Sequence, residues 1–202
     1  LDPLFTVAPS VPAPSGHRPP VILAVSRLSL GDIYKGVDTL IRAMREVRTR
    51  CPDAILRIVG RGDDLPRLRS LAETTAPGTV EFTGFLPDAE LQRELHECTV
   101  FALPSRKEGF GIVFLEAFAH GKPCIGARAG GIPEVIDDET GFLVDYGDEI
   151  ALADACIAAL QRKWDSGAIC ARAQRFSYGN FKEALGAFLS CSRSAGFQFA
   201  AG

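Results

Sequence analysis

No Cys-x-x-Cys pair occurs in this 202-residue chain, and its six cysteines (51, 98, 124, 156, 170 and 191) form no cluster with histidine at metal-ligand spacing. They read as free thiols in a reducing compartment, mostly small core hydrophobes. No apolar run approaches the roughly 20 residues needed to cross a bilayer, and the first residues lack the charged and apolar regions of a secretion signal. A basic excess is missing too: 22 Lys+Arg against 25 Asp+Glu leave a formal charge of −3. That balance gives no general attraction for nucleic acid or an anionic membrane, so neither nucleic-acid binding nor membrane insertion is expected. The expected location is cytoplasmic, and any affinity for phosphate has to come from a few placed cations.

Several catalytic signatures are also lacking. Gly60-Arg-Gly62 would begin a dinucleotide fingerprint, but the third glycine should fall at position 65, which is Leu65. Ser105 has no nucleophile-elbow context. His17, His96 and His120 have no metal partners by spacing, and His120, beside Gly121, reads as a helix-end cation or a surface residue. No metal is expected.

What the chain does have is apolar content, 47%, enough to bury the core of one α/β domain. Strand signals at Val21–Val25, 54–59, 79–83, 99–103, 123–125 and Gly141–Val144 alternate with helical spacing over 36–50, 65–72, 88–95, 109–120, 150–160, 168–176 and 181–191. Asp88 is the expected cap of its helix, and Gly130-Gly131 opens a turn. This alternation predicts an α/β fold, a Rossmann-like doubly wound parallel sheet with helices on both faces. In such sheets ligands sit in the loops at the carboxyl ends of strands. Six of the thirteen prolines lie at 3, 9, 12, 14, 19 and 20, so residues 1–19 read as a proline-rich interdomain linker, with an ordinary flexible N-terminus as the alternative. Residues 20–178 form the expected domain, followed by a C-terminal helix and frayed tail over 179–202.

The most informative stretch is Glu108-Gly-Phe-Gly-Ile-Val-Phe-Leu-Glu116. A helix beginning here would point unpaired N–H groups and a partial positive charge at an anion, so a diphosphate could settle on Gly109, Phe110, Gly111, Ile112 and Val113. As continuous helix, eight residues span roughly 12 Å and turn by only about 80°, so Glu108 and Glu116 could face one ligand with polar groups at both ends. A hydrolase pair would stand about 5–9.5 Å apart. Two helix-surface carboxylates remain the plainer alternative. Arg27 and Lys35 flank the loop after the first strand and suit a diphosphate, one as a rigid fork and one as a mobile charge; alone, each would read as a solvated surface cation. Gly130-Gly-Ile-Pro-Glu134 either lets backbone approach a sugar closely or is a plain tight turn.

Six pieces in order, Ser26-Arg27…Lys35-Gly36, Ile58-Val-Gly-Arg-Gly62, Phe82-Thr-Gly-Phe-Leu86, Leu103-Pro-Ser105, Glu108 to Ala117 and Gly130 to Glu134, closely resemble the C-terminal half of glycosyltransferase family 4. The likeness covers about Val21 to Tyr178. It implies one half of a two-domain GT-B enzyme that transfers sugar with retention of configuration and without a metal. By resemblance, Arg27 and Lys35 hold the donor diphosphate with the N–H groups of Gly109 to Val113, and Glu108 contacts donor-sugar hydroxyls. Glu116 takes the ribose hydroxyls, while Leu86, Asp88 and Leu91 lie near the base. Ser26 stands where that family commonly has glycine, a small-for-small change. The expected partners are a nucleotide-sugar donor and an N-terminal acceptor domain of the same polypeptide, without which the fragment should bind donor but transfer little sugar. A non-catalytic nucleotide-sugar sensor on the same fold is the rival reading, and a hydrolase or epimerase the third.

Overall fold

The computed structural model describes residues 18–177, 179, 180 and 182. The linker residues before Arg18, the helix expected over 181–191 and the tail beyond it lie outside those residues, apart from Lys182.

Six strands form a single sheet: β1 (Val21–Val25), β2 (Ile55–Val59), β3 (Val80–Gly84), β4 (Val100–Leu103), β5 (Cys124–Ala127) and β6 (Gly141–Val144). Their order is β3-β2-β1-β4-β5-β6 and every pairing is parallel, with Val21 opposite Ile55 on one side of β1 and Ile22 opposite Val100 on the other. This is the expected doubly wound sheet. The central strands are apolar along their length because both faces are covered: all four residues of β4 and of β5 are buried. At the edge, β3 alternates half-buried and exposed positions instead.

Seven helices flank the sheet among the described residues: α1 (Val37–Arg50), α2 (Leu65–Thr75), α3 (Asp88–Glu97), α4 (Ile112–Ala119), α5 (Ile132–Val135), α6 (Glu149–Gln161) and α7 (Ser166–Arg175). One layer holds α1 packed against α2 and α6; the other holds α4 packed against α3 and α7. Phe101 of β4 and Phe114 of α4 are fully buried and meet edge to face, centroids 5.7 Å apart at 89°, which ties the second layer to the middle of the sheet. Burial pushes the Cys98 and Cys156 thiols up to about 12, so both behave as inert small hydrophobes, as expected.

Some local expectations need correction. Asp88 does not cap α3; Pro87, in extended conformation, holds that position and makes no side-chain cap bond, leaving Asp88 in the first turn. Helix α4 starts at Ile112 rather than Gly109, because Gly111 takes a left-handed conformation (φ 76°) that stops the helix from extending backwards. Two short elements were not expected, a 3-10 turn over Leu30–Lys35 and α5, which follows directly from the Gly130-Gly131 turn.

The Phe101–Phe114 contact gives a direct test. Phe101→Ala should lower stability by about 3–5 kcal/mol, read in urea as an earlier midpoint with an unchanged slope.

Candidate functional site

Strand order reverses between β1 and β4, so the loops leaving their carboxyl ends diverge and border a crevice. The loop after β1 stays beside the loop after β2, with the Ser26 N–H donating to the Val59 carbonyl (3.0 Å) and the Leu28 N–H to that of Arg61 (3.0 Å). It then winds into the 3-10 turn, capped by Ser29, whose hydroxyl accepts from the Gly31 N–H. Left-handed Gly36 (φ 72°) starts α1 against the Pro104 carbonyl, where a Cβ would collide. The Arg106 N–H donates to the Tyr34 carbonyl at 2.8 Å and joins the two loops across the reversal.

That junction brings together residues 73 positions apart. Lys35 Nζ lies 2.7 Å from Glu108 Oε2, and only 19% and 18% of the two side chains remain exposed. Arg27 is placed differently: its side chain is 79% exposed, and Nη2 donates at 3.1 Å to Asp32 Oδ1, which also accepts the Tyr34 hydroxyl at 2.9 Å. Each candidate phosphate cation therefore already faces a carboxylate. Lys107 stands with Lys35 at the Tyr34 ring, each ammonium 5.6 Å from its centroid. Asp32, Tyr34 and Lys107 are thus members of this cluster that sequence reading missed, although the first two lie inside the loop it enclosed and the third adjoins Glu108.

The Glu108 loop is held from behind. The Gly131 N–H donates to the Glu108 carbonyl at 3.1 Å, and Cβ atoms at Gly130 or Gly131 would run into the carbonyl oxygens of Glu108 and Gly109. Gly130-Gly131 is thus a close approach to the backbone that carries Glu108, a meaning the sequence left open. Ser105 is buried and donates its hydroxyl to the Lys107 carbonyl, a structural role in the same loop. Beyond Gly111, α4 opens with Ile112 and Val113, whose N–H groups belong to the turn that finds no acceptor inside a helix.

Glu116 projects from α4, half-buried, with no hydrogen-bond or ion-pair partner among the described residues. Burial, and secondarily the charge of Asp88 at the start of α3, pushes its carboxyl above the ordinary 4.5. Asp88 and Glu116 are thus brought close enough to feel each other. Leu86 and Leu91 are half-buried and pack on the core beneath. His120 is the C-cap residue of α4, at the helix end as expected; burial, then His96 and Lys122, lower its pKa, and its Nε2 lies 2.6 Å from Gln92 Oε1. A small, half-open depression lies behind the first loop, lined in part by Arg27, Asp32, Asp64 and Arg67; Glu108 and Glu116 are not among its walls.

An unpartnered, half-buried carboxylate opposes folding at neutral pH. Because the Glu116 pKa is raised in the fold, the unfolded chain loses that proton first, and wild-type stability falls as pH rises through the window beginning near 4.5. Glu116→Gln should therefore be the more stable protein at pH 7 in thermal melts, with the difference disappearing at pH 4.

Comparison with known proteins bears on the family and the fold. Residues 19–162 match the family of glycosyl transferases group 1. The chain is 42% identical over 149 residues to a GDP-mannose-dependent alpha-(1-6)-phosphatidylinositol monomannoside mannosyltransferase of Mycolicibacterium smegmatis, covering 69% of this chain and 38% of that protein. Among solved structures it is similar to the lipopolysaccharide outer core galactosyltransferase WaaB (TM-score 0.74, 25% identity, 87% of this chain and 51% of that one). It is likewise similar to Anabaena HepE solved with UDP and glucose (TM-score 0.70, 27% identity, 85% and 48%). The chain thus spans about two-fifths of the length of the curated relative and about half of the solved ones. With the family match covering most of the sequence and the parallel sheet shared with the solved structures, the chain belongs to the group 1 glycosyl transferases and carries a Rossmann-like domain of the GT-B kind.

Proposed function

We propose that this chain is the donor-binding part of a retaining family 4 glycosyltransferase, one that moves a hexose-type sugar from a nucleotide diphosphate sugar to a glycan, lipid or small-molecule acceptor. The observation that carries the reading is the meeting of Lys35 and Glu108 across the strand-order reversal, with the start of α4 beside them. A diphosphate laid there has the ammonium of Lys35, the guanidinium of Arg27 and the N–H groups of Gly109 to Val113 within its reach. These charges and dipoles, rather than a metal ion, hold the leaving group in this reading. Glu108 takes the donor-sugar hydroxyls and Glu116 those of the ribose, with Leu86, Asp88 and Leu91 beside the base.

Retention follows from attack on the face the diphosphate is leaving, where the departing phosphate oxygen removes the acceptor's proton. The chain's own residues lower the barrier by stabilising charge as it builds on that phosphate, worth most in a half-buried site. The acceptor surface belongs to a preceding domain, reached through the proline-rich linker of residues 1–19. On this reading the 202-residue chain binds donor and transfers little sugar by itself, and it works in the cytoplasm.

GDP and UDP are the leading bases, since the mannosyltransferase relative is GDP-mannose-dependent and HepE was solved with UDP. Calorimetry with GDP, UDP, ADP and their sugars should find one nucleotide bound. Arg27→Ala and Glu116→Ala should each weaken it about 10- to 100-fold, the scale of a hydrogen bond to a charged group. Binding of none of the three would overturn the proposal.

A further inference from the structure

We infer that the Lys35–Glu108 pair makes the site discriminate between a nucleotide-sugar and the free nucleoside diphosphate, so that losing the sugar loosens the nucleotide. The inference rests on the donor-site reading above. It adds to Glu108 an effect transmitted through Lys35, beyond contact with the sugar.

The geometry supplies the coupling. Nζ and Oε2 are 2.7 Å apart and about four-fifths of each side chain is buried, so the pair interacts in a medium less polarisable than water. Glu108 has little freedom to retreat: Gly130 and Gly131 press on its backbone, and the Gly131 N–H holds its carbonyl. Lys35 is limited by Tyr34, against whose ring its ammonium lies at 5.6 Å. An ammonium has three donors and can serve a carboxylate and a phosphate together. Those two anions are then neighbours, and they repel.

Ligand chemistry decides how strongly. In a nucleotide-sugar the terminal phosphate is esterified, and sugar hydroxyls donate to Glu108, satisfying its carboxylate as Lys35 turns toward the diphosphate. In the free nucleoside diphosphate the hydroxyls are gone and the uncovered terminal oxygen adds negative charge beside Glu108. Glu108 then competes for Lys35 with nothing to compensate it. Arg27, whose Nη2 donates to Asp32, serves the diphosphate of either ligand alike and so does not offset this difference. The same carboxylate therefore favours the incoming donor and disfavours the outgoing product.

The test is calorimetry on the 202-residue chain with two matched pairs, GDP with GDP-mannose and UDP with UDP-glucose. Wild type should prefer the sugar-bearing member of the pair it binds. Glu108→Gln should bind the free diphosphate about tenfold tighter than wild type, the size of one like-charge repulsion removed. It should bind the nucleotide-sugar no tighter than wild type, so the preference collapses. A structural defect would weaken both ligands together. If Glu108→Gln does not fold, the Lys35→Gln/Glu108→Gln variant, which leaves no buried charge unpaired, should also lose the preference. An unchanged preference in either variant, with nucleotide still bound, overturns this inference alone. No binding of any nucleotide by wild type overturns the donor-site reading with it.

Discussion

The sheet order changes direction between β1 and β4, and the rest of the site is arranged around keeping the two diverging loops in register. Lys35 comes from the first loop and Glu108 from the second. Their contact depends on a backbone bond from the Arg106 N–H to the Tyr34 carbonyl and on Gly36 lying against Pro104 too closely for a side chain. The Gly130-Gly131 turn, which follows β5, then fixes Glu108 from behind. Three strand ends thus contribute backbone contacts whose combined product is the position of one carboxylate. A loop carrying the same side chains without these contacts would hold them only as mobile surface charges.

Stability and function pull in opposite directions around this crevice. Glu116 is half-buried without a partner and close enough to Asp88 for their charges to interact. Five of the six exposed large hydrophobics among the described residues, Leu30, Ile33, Phe85, Phe110 and Ile112, lie in or directly beside loops at the carboxyl end of the sheet. At the starts of α1, α2 and α6 the charges are paired: Asp38 and Glu149 share Arg42, and Asp64 accepts from Arg67 Nε and Nη2, each at 2.6 Å. Exposed apolar surface is thus concentrated at the carboxyl end of the sheet, a pattern that folding alone would not select.

Much of this architecture was legible in the sequence. The bounds of β1 and β6 follow directly from short apolar runs flanked by breakers, and the parallel sheet follows from their alternation with amphipathic helices. What was illegible depended on long-range contacts. The 3-10 turn over Leu30–Lys35 has no 3.6-residue period to announce it. His120 sits at a helix end, and the burial and the His96 neighbour from α3 that lower its pKa come from residues distant in the chain. Gly130-Gly131 was visible as a turn, but the Glu108 carbonyl it leans on lies more than twenty residues away in the chain. Within the Glu108 to Glu116 stretch the helix was expected from about Gly109, and left-handed Gly111 moves its start to Ile112.

That separation has a physical consequence for how the two glutamates work. On one continuous helix they would move together, and a shift of one would carry the other. With Gly111 between them, Glu108 is positioned by contacts with β1 and β5 loops, whereas Glu116 rides on α4, whose Phe114 is anchored against Phe101 in the sheet. The two carboxylates are thus positioned by separate sets of contacts, and that division rests on one backbone conformation at Gly111.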